Sequence, residues 1–216
     1  MISFSNVSKA YRQGTSYEVI LHNQTFDILD GQHLGVLTGP AAGKTTLIRL
    51  LAGIEETDEG SLIITGTTSW PIGMAAGFHP ELTGEENVRM LVSLYNLVDK
   101  EITCFCHEFS ELGESFFQPI KTYSSGMRAA LGFALSMSLD FDIYIADENV
   151  GVGNEEFRAK CEVMLEARIA NKTFVFASRN QRALERLCDS VAVLYHGQII
   201  MCKDFNEAAF MLEGGN

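Results

Sequence analysis

Strand-like and helix-like patterns of apolar residues alternate along most of the chain. The apolar run at residues 34–37 is typical of a buried strand, and the apolar positions between Leu47 and Leu51 predict a helix that ends at Gly53. Further strands are predicted at residues 61–66, 141–148, 173–178, 191–195 and 198–200, the last two as a hairpin. Further helices are predicted at residues 84–95, 100–117, 127–135, 155–168, 181–188 and 205–212. This alternation predicts an α/β fold.

Two other segments complete the predicted architecture. Residues 2–7 and 18–29 alternate between apolar and polar positions, which predicts an antiparallel β subdomain with Tyr11 in the link between its strands. A capping box formed by Thr83 and Glu86 marks the start of a series of helices. We expect these helices, approximately residues 80–136, to form a helical subdomain inserted into a single domain that covers residues 1–216.

A loop of small residues separates the strand at 34–37 from its helix. The loop consists of Thr38, Gly39, Pro40, Ala41, Ala42 and Gly43. Because little side-chain bulk stands in the way, its backbone N–H groups can wrap a phosphate, and the helix start adds free N–H groups and the positive end of its dipole. Lys44 adds a charge for the β- and γ-phosphates, and the hydroxyl of Thr45, followed by Thr46, can bind Mg²⁺. An ordinary strand–helix turn is the alternative, since Thr38 stands where the phosphate-loop pattern has glycine.

Two carboxylates end the predicted strand at residues 141–148. In open parallel sheets, ligands bind at the carboxyl ends of the strands. Asp147 is therefore expected to hold Mg²⁺, directly or through water, and Glu148 to polarise a water for attack on the γ-phosphate. The alternative is that the two acids only cap the next turn. A phosphate loop earlier in the chain, in the right order, favours the catalytic interpretation over this one. Arg179 follows the strand at 173–178, again at the end where ligands bind.

Two weaker signals concern nucleotide contacts. Ser124, Ser125 and Gly126 precede a predicted helix, so they form either a helix cap or a second anion site made of hydroxyl and N–H groups. Tyr11, with Tyr17 close by, is either a surface tyrosine of the hairpin or an aromatic ring that stacks on a nucleotide base.

Composition restricts the class of protein. The 216 residues are 46% hydrophobic and carry a net charge of −12, which supports one packed domain and argues against a broad nucleic-acid-binding surface. No signal peptide is evident, and the longest apolar stretch, residues 129–139, is shorter than the ~20 residues of a membrane-spanning helix. Five scattered cysteines suit a reducing cytoplasm. We expect a soluble chain that reaches a membrane only through a partner.

The order of these motifs resembles that of an ABC transporter ATP-binding subunit over nearly the whole chain. Further motifs resemble the ATP-binding subunits of capsular polysaccharide exporters. They are residues 69–73 (SWPIG), 77–79 (GFH), 82–84 (LTG), 86–88 (ENV), 121–128 (KTYSSGMR) and 133–137 (FALSM). This resemblance implies the P-loop NTPase fold of an ABC nucleotide-binding domain, with ATP and Mg²⁺ as ligands and ATP hydrolysis coupled to polysaccharide export.

The resemblance also implies partners and a location. Two copies would form a head-to-tail homodimer that sandwiches two ATPs, each between the phosphate loop of one copy and the 124–126 turn of the other. The dimer would drive an integral-membrane permease docked near Phe78, at the cytoplasmic face of the inner membrane. Periplasmic export components would be engaged indirectly, and no nucleic acid is expected.

Several positions depart from the family pattern. The family has glutamine at His79, in the loop that senses the γ-phosphate, histidine at Arg179, which contacts that phosphate, and aspartate at Asn154. The phosphate loop has Thr38 and Ala41 in place of glycine. These changes bear on hydrolysis more than on binding, so a nucleotide-binding scaffold with little turnover stays open as the alternative to an ATP-hydrolysing motor.

Overall fold

The computed structural model describes residues 1–72, 77–95, 97, 99–148 and 153–214. Its strands are β1 (Ile2–Gln13), β2 (Ser16–Ile28), β3 (His33–Thr38), β4 (Glu59–Ile64), β5 (Ile143–Asp147), β6 (Thr173–Ser178), β7 (Ser190–Tyr195) and β8 (Gln198–Cys202). Its α-helices are α1 (Lys44–Leu51), α2 (Gly84–Ser93), α3 (Asp99–Ser110), α4 (Ser125–Ser138), α5 (Glu155–Ile169), α6 (Gln181–Leu187) and α7 (Phe205–Leu212). Residues 73–76 of the predicted loop, with Gly73 of the SWPIG motif, lie outside the described residues.

The chain divides into two compact units. The first consists of Met1–Pro71, Phe141–Glu148 and Ile169–Asn216, and the second of Ile72–Asp140 and Asn149–Arg168. The helical segment predicted at residues 80–136 falls within the second unit. No helix in the described part of the chain is both long and apolar enough to cross a membrane.

The first unit contains a five-stranded sheet in the order β5-β6-β3-β7-β8. The first four of these strands are parallel, and β8 runs antiparallel to β7 through the predicted hairpin. Side chains of β5 and β6 are almost all buried, as expected for strands covered on both faces. Because β3 and β5 both run parallel to β6, the loop that follows β3 emerges at the same edge as the carboxyl ends of β5 and β6.

A three-stranded antiparallel sheet, in the order β2-β1-β4, forms the rest of the first unit's β structure. The position predicted for Tyr11, in the link between two strands, was wrong. Tyr11 lies within β1 opposite Glu18, and only Gly14 and Thr15 separate β1 from β2. Residues 8–13 are mostly polar, so their pairing left no apolar alternation for sequence analysis to detect.

Helices dominate the second unit. The capping box is confirmed, with Thr83 accepting from the backbone of Glu86 and the Glu86 side chain accepting from that of Thr83. The helix predicted at residues 100–117 was too long, because α3 ends at Ser110, where Glu111 adopts a left-handed φ of 55°. A short 3-10 helix, Gly113–Phe117, follows.

Candidate functional site

The loop after β3 turns tightly enough to require special backbone conformations. Ala41 has φ of 56° and Gly43 has φ of 96°. A Cβ atom on Gly43 would lie 2.4 Å from Ile20 Cγ2, so only glycine fits there. Such alternation of left-handed and right-handed residues points successive N–H groups into one concavity, which is a geometry for binding anions.

Helix α1 begins directly after this loop with no side-chain cap among the described residues. Its first N–H groups are therefore available to a ligand. Thr45 is exposed at this end, whereas Thr46 is buried and its hydroxyl donates to Tyr11 Oη at 3.3 Å. Thr45 is thus the hydroxyl that faces solvent at the start of the helix.

The Lys44 amine meets both acids at the end of β5. Its Nζ lies 2.9 Å from Glu148 Oε1 and 4.0 Å from Asp147 Oδ2. Parallel pairing of β5 with β6 and of β6 with β3 brings these groups to one edge of the sheet. The structure therefore brings together the amine and the carboxylates that the sequence predicted at one site.

Glu148 is also paired with Arg179, which follows β6. The guanidinium donates from Nη2 to Oε1 at 2.9 Å and from Nε to Oε2 at 3.4 Å, and the backbone N–H of Arg179 donates to Oε2 at 3.3 Å. Hydrogen bonds from Arg179, and then from Lys44, lower the pKa of Glu148 to about 2. This carboxylate is an anion at neutral pH, with two cationic partners.

Oxygen donors at this edge suit a magnesium ion that is also bound by phosphates. The Thr45 hydroxyl is exposed at the start of α1, and the half-buried Asp147 carboxylate ends β5. Within the described residues, no group of three or more histidine, cysteine, aspartate or glutamate side chains could hold a metal. One hydroxyl and one carboxylate fit Mg²⁺, because this ion usually takes one or two protein oxygens and completes its shell with phosphates and waters.

Tyr11 lies half-buried in a polar cluster beside α1. Its hydroxyl donates a short hydrogen bond to Glu55, and it accepts from Thr46. Lys9 joins the cluster, with Nζ 3.4 Å from Glu55 Oε1 and 2.9 Å from Asp58 Oδ1. Tyr17, in contrast, is 69% exposed. The cluster fixes the position of Tyr11 relative to the helix that follows the loop.

A cavity of about 360 Å³ adjoins the loop within the first unit. It is lined by residues 18–20 of β2, residues 39–42 of the loop, residues 194–197 of the β7–β8 hairpin, and Leu212. Tyr11 is not among the lining residues. The cavity therefore reaches the loop from the side of the β2 strand and the hairpin.

In the second unit, the Ser124 turn has the geometry of a helix cap. The Ser124 side chain accepts from the N–H of Met127 at 3.2 Å, and Ser124 and Ser125 are both exposed, with Gly126 half-buried. The capping role does not exclude an anion-binding role, since Ser125 and Gly126 begin α4 with an exposed end. This geometry is therefore compatible with both the helix cap and the anion site that the sequence predicts.

His79 and Asn154 also belong to the second unit. The N–H of His79 donates to Asn87 Oδ1 at 2.6 Å, and the amide of the fully buried Asn87 donates back to the His79 carbonyl at 3.1 Å. The His79 ring is exposed, and its Nδ1 accepts from the N–H of Glu81. Asn154 Oδ1 accepts from the N–H of Phe157 at the start of α5.

Sequence analysis missed the contribution of Lys9 and Glu55. The acidic segment at residues 55–59 was visible as a turn, but its partners in β1 lie more than 40 residues away. It also missed that Glu148 pairs with both Lys44 and Arg179. Lone charges carry no local signal of their partners, so composition alone could not have found either cluster.

Comparison with known proteins identifies the family of this chain. The model of the family described as ABC transporter matches residues 21–151, more than half of the chain. The chain belongs to the ABC transporter family. The resemblance stated from the sequence motifs is thereby confirmed.

Individual ABC transporter proteins match over nearly their full length. The capsule polysaccharide export ATP-binding protein CtrD of Neisseria meningitidis serogroup B is 36% identical over 208 residues, covering 96% of each chain. The polysialic acid transport ATP-binding protein KpsT of Escherichia coli is 40% identical over 202 residues, covering 93% of this chain and 90% of KpsT. These identities over most of the chain confirm the predicted similarity to the ATP-binding subunits of capsular polysaccharide exporters.

Solved ABC structures share the fold. A structure described as the ATP binding subunit of an ABC transporter matches with a TM-score of 0.81, at 19% identity, covering all of this chain and 94% of that one. A dimeric post-hydrolysis state of the ATP-binding cassette MJ0796, bound to ADP and Pi, matches with a TM-score of 0.79, also at 19% identity, covering 92% of this chain and 96% of that one. These matches confirm the predicted fold class.

Proposed function

We propose that the protein is the ATP-binding and ATP-hydrolysing subunit of an ABC transporter that exports capsular polysaccharide. The observation that carries this proposal is the contact between Lys44 Nζ and Glu148 Oε1 at 2.9 Å. Lys44 follows the small-residue loop and begins α1, a helix without a side-chain cap. The export substrate is proposed from the names of CtrD and KpsT, which match nearly all of the chain.

The loop and α1 would bind the phosphates of ATP. The N–H groups of residues 43–46, at the end of the loop and the start of α1, would surround the β-phosphate, while Lys44 would neutralise charge on the β- and γ-phosphates. Bound Mg²⁺ supplies charge neutralisation to the phosphate oxygens, and Thr45 and Asp147 are the residues that would hold it. Glu148 would orient the attacking water through its carboxylate, and Arg179 and His79 would complete the γ-phosphate environment. Tyr11 would supply an aromatic face to the base.

The assembly proposed here is a homodimer attached to a membrane permease. Ser124, Ser125 and Gly126 of one copy would face the ATP held by the phosphate loop of the other. The exposed position of Ser124 and Ser125 supports this arrangement. The permease would dock near Phe78, so the subunit would work at the cytoplasmic face of the inner membrane and act on periplasmic export components only indirectly.

Nucleotide binding and steady-state ATP hydrolysis test this function. Lys44→Ala should weaken ATP affinity at least ~100-fold, because it removes the cation closest to the phosphates. Glu148→Gln should keep ATP affinity but lower turnover by roughly 10²–10⁴-fold, because an amide cannot act as the base. Lys203→Ala, a change at an exposed lysine outside the site, serves as the matched control.

Two results would contradict the proposal. Unchanged nucleotide affinity in Lys44→Ala would remove the loop from the binding site. Equal slow turnover in the unmodified protein and in Glu148→Gln would leave only the nucleotide-binding scaffold.

A further inference from the structure

Strand β4 lies at an edge of the three-stranded sheet. The order β2-β1-β4 leaves β4 paired with β1 alone among the described strands. The N–H of Thr65 donates to the Met1 carbonyl at 2.9 Å, and the amino terminus donates back to the Thr65 carbonyl at 3.4 Å. Antiparallel strands form such pairs at every second residue, so the N–H and C=O groups of Leu62 and Ile64 point away from β1. The edge therefore offers backbone donors and acceptors to another strand.

The second half of β4 lacks the features that commonly keep an edge strand from pairing with other chains. Such strands often carry lysine or proline, or are distorted by a bulge. Here Leu62, Ile63 and Ile64 are consecutive apolar residues, and Ile63 is 58% exposed. The irregular pairing of β1 with β4 falls at the other end, between Ser5 and Ser8. An edge of this kind is suited to the addition of a strand from a partner.

A groove of about 400 Å³ adjoins this edge within the first unit. Its apolar part is formed by Leu50 of α1, which is buried, and by Leu62 and Ile64, which are half-buried. Alternate side chains of a strand point to the same face of its sheet. A strand added beside β4 therefore directs every second side chain to the face on which Leu62 and Ile64 line the groove.

Glu55 and Glu56 form the acidic part of the groove, and Glu56 is exposed. Hydrogen bonds from Tyr11, and then from Lys9, lower the pKa of Glu55, so this carboxylate is an anion at neutral pH. Its Oε2 atom is buried and accepts no hydrogen bond from the described residues, although Arg49 Nε lies 3.6 Å away. A buried charged oxygen without a donor is costly, and a cationic side chain that enters the groove supplies one.

We propose that the β4 edge and this groove bind an extended, basic segment of a partner protein. The backbone of the segment pairs with Leu62 and Ile64. Two of its side chains, spaced two residues apart, enter the groove, where an apolar one contacts Leu50 and an arginine or lysine pairs with Glu55 and Glu56. None of the groove residues is among those proposed to bind ATP, so this surface acts in addition to that function.

The charge of the groove argues against a second copy of this chain as the occupant. The β4 strand of a second copy, Glu59–Ile64, carries one acidic residue and no basic one, so it brings no cation to Glu55 and Glu56. The chain as a whole has a net charge of −12, which also disfavours self-association. A basic partner segment matches both the local and the overall charge.

Binding of a synthetic peptide tests the proposal. The probe is a short fluorescein-labelled peptide in which threonine alternates with arginine, valine and arginine, and fluorescence anisotropy measures its binding. We expect saturable binding with a Kd below about 1 mM. Replacing both arginines with glutamate should weaken the affinity at least ~10-fold, because the acidic part of the groove then repels the peptide.

Two protein variants separate the groove from the overall charge. Glu56→Lys reverses a charge within the groove and should weaken binding of the arginine peptide roughly 10-fold. Glu114→Lys makes the same change in net charge at an exposed position of the second unit and should leave the affinity within about twofold. Thermal unfolding of each variant establishes that the measured protein is folded.

Hydrogen exchange measured by NMR tests the strand pairing. The arginine peptide should slow exchange of the Leu62 and Ile64 amides at least ~10-fold, because these amides become hydrogen-bonded. Exchange at Ile63, whose N–H points toward β1, should not change.

Four outcomes are decisive. Equal weakening by Glu56→Lys and Glu114→Lys would show that overall charge attracts the peptide, and this would overturn the proposal. Unchanged exchange at Leu62 and Ile64 with bound peptide would overturn it as well. Protection of these amides that rises with protein concentration, without peptide, would identify a second copy as the occupant and also overturn it. Failure to bind ATP together with the expected peptide results would overturn the proposed function and leave this surface supported.

Discussion

At the scale of single residues, environment separates five cysteines into distinct chemical classes. Burial raises the pKa of the Cys106, Cys161 and Cys188 thiols to about 12. Cys202 is half-buried, and burial again raises its pKa. Cys104 is exposed on α3, where a hydrogen bond to Glu108 raises its pKa above the ordinary value. Because it is the exposed thiol, Cys104 should react with a soluble thiol reagent faster than the other four cysteines.

Titration with a thiol reagent at pH 8 should show about one thiol that reacts quickly in the native protein, with the rest reacting after unfolding. Cys104→Ser should abolish the fast phase, because the remaining thiols are buried or half-buried. Cys106→Ser serves as the control that should leave the fast phase intact. A fast phase that persists without Cys104 would show that another thiol is accessible.

The hydrogen-bond partners of Tyr11 are distant from it along the chain. Its hydroxyl is bound to Glu55 and Thr46, so the ring is held beside α1, the helix that begins at Lys44. The proximity is compatible with the proposed stacking on a base, which stays a prediction. The partners that hold it are separated from it by 44 and 35 residues and were not predictable from spacing.

At the scale of elements, the pairing of β1 with β4 depends on one glycine. Gly60 has φ of 76°, and a Cβ atom there would lie 2.3 Å from the carbonyl oxygen of Asn6. Gly31 has nearly the same φ, 77°, but a Cβ atom would meet nothing within 4 Å. An alanine at either position would adopt an unfavourable left-handed conformation, but only at Gly60 would its Cβ atom also clash with the backbone of β1.

Gly31→Ala should therefore lower the free energy of unfolding by about 1–2 kcal/mol, the cost of a left-handed alanine. Gly60→Ala should lower it by at least about 1 kcal/mol more, because the backbone of β1 has to move. Urea unfolding followed by circular dichroism measures both. An equal decrease in the free energy of unfolding in the two variants would show that the β1 backbone can move away from residue 60 without destabilising the fold.

The link between β1 and the acidic turn should show itself in the pH dependence of stability. The N–H of Ala10 and the Lys9 ammonium both donate to Asp58, and these bonds lower its pKa below the ordinary value of 3.8. A carboxyl whose pKa is lower in the folded state stabilises the fold above its unfolded pKa, and the contribution is lost as pH falls through the folded value.

Asp58→Asn should accordingly be less stable than the unmodified protein at pH 7, and the difference should shrink as pH falls below 3.8. Urea unfolding at a series of pH values measures this difference. Asp27→Asn, at an exposed position of β2, is the matched control. A difference that stays constant between pH 7 and pH 3 would mean that packing or the backbone, rather than the charge, carries the effect.

At the scale of the whole molecule, the proposed homodimer predicts a response to ATP. In a background of Glu148→Gln, where ATP is bound but turned over slowly, size-exclusion chromatography should show ATP-dependent dimers. Ser124→Arg should abolish these dimers, because a bulky cation would occupy the exposed turn that, in the proposed dimer, would face the partner's nucleotide. Ser16→Arg places the same side chain at the exposed first residue of β2, next to the β1–β2 turn, and should leave dimers intact.

Normal ATP-dependent dimers in Ser124→Arg would contradict the sandwich arrangement. Loss of dimers in both serine variants would point to an arrangement in which the β1–β2 turn also lies at the interface, which the proposed head-to-tail dimer does not include.

The sequence by itself determined the parts of this protein whose signals are local. Apolar periodicity, a loop of small residues before Lys44, the Thr83–Glu86 capping box and two acids at the end of a strand each depend on neighbours within a few residues. These signals sufficed for the fold class and for the meeting of Lys44 with Asp147 and Glu148, since parallel strands place their carboxyl ends at one edge.

Only the tertiary structure decided which distant charges pair. Arg179 lies 31 residues from Glu148 along the chain, and Lys9 lies 49 from Asp58, yet each pair is in direct contact. The left-handed Glu111 that ends α3 was equally invisible, because helical periodicity continues past it. Such contacts depend on strand order and on backbone geometry, which arise from the packing of the whole chain and leave no pattern in any short segment.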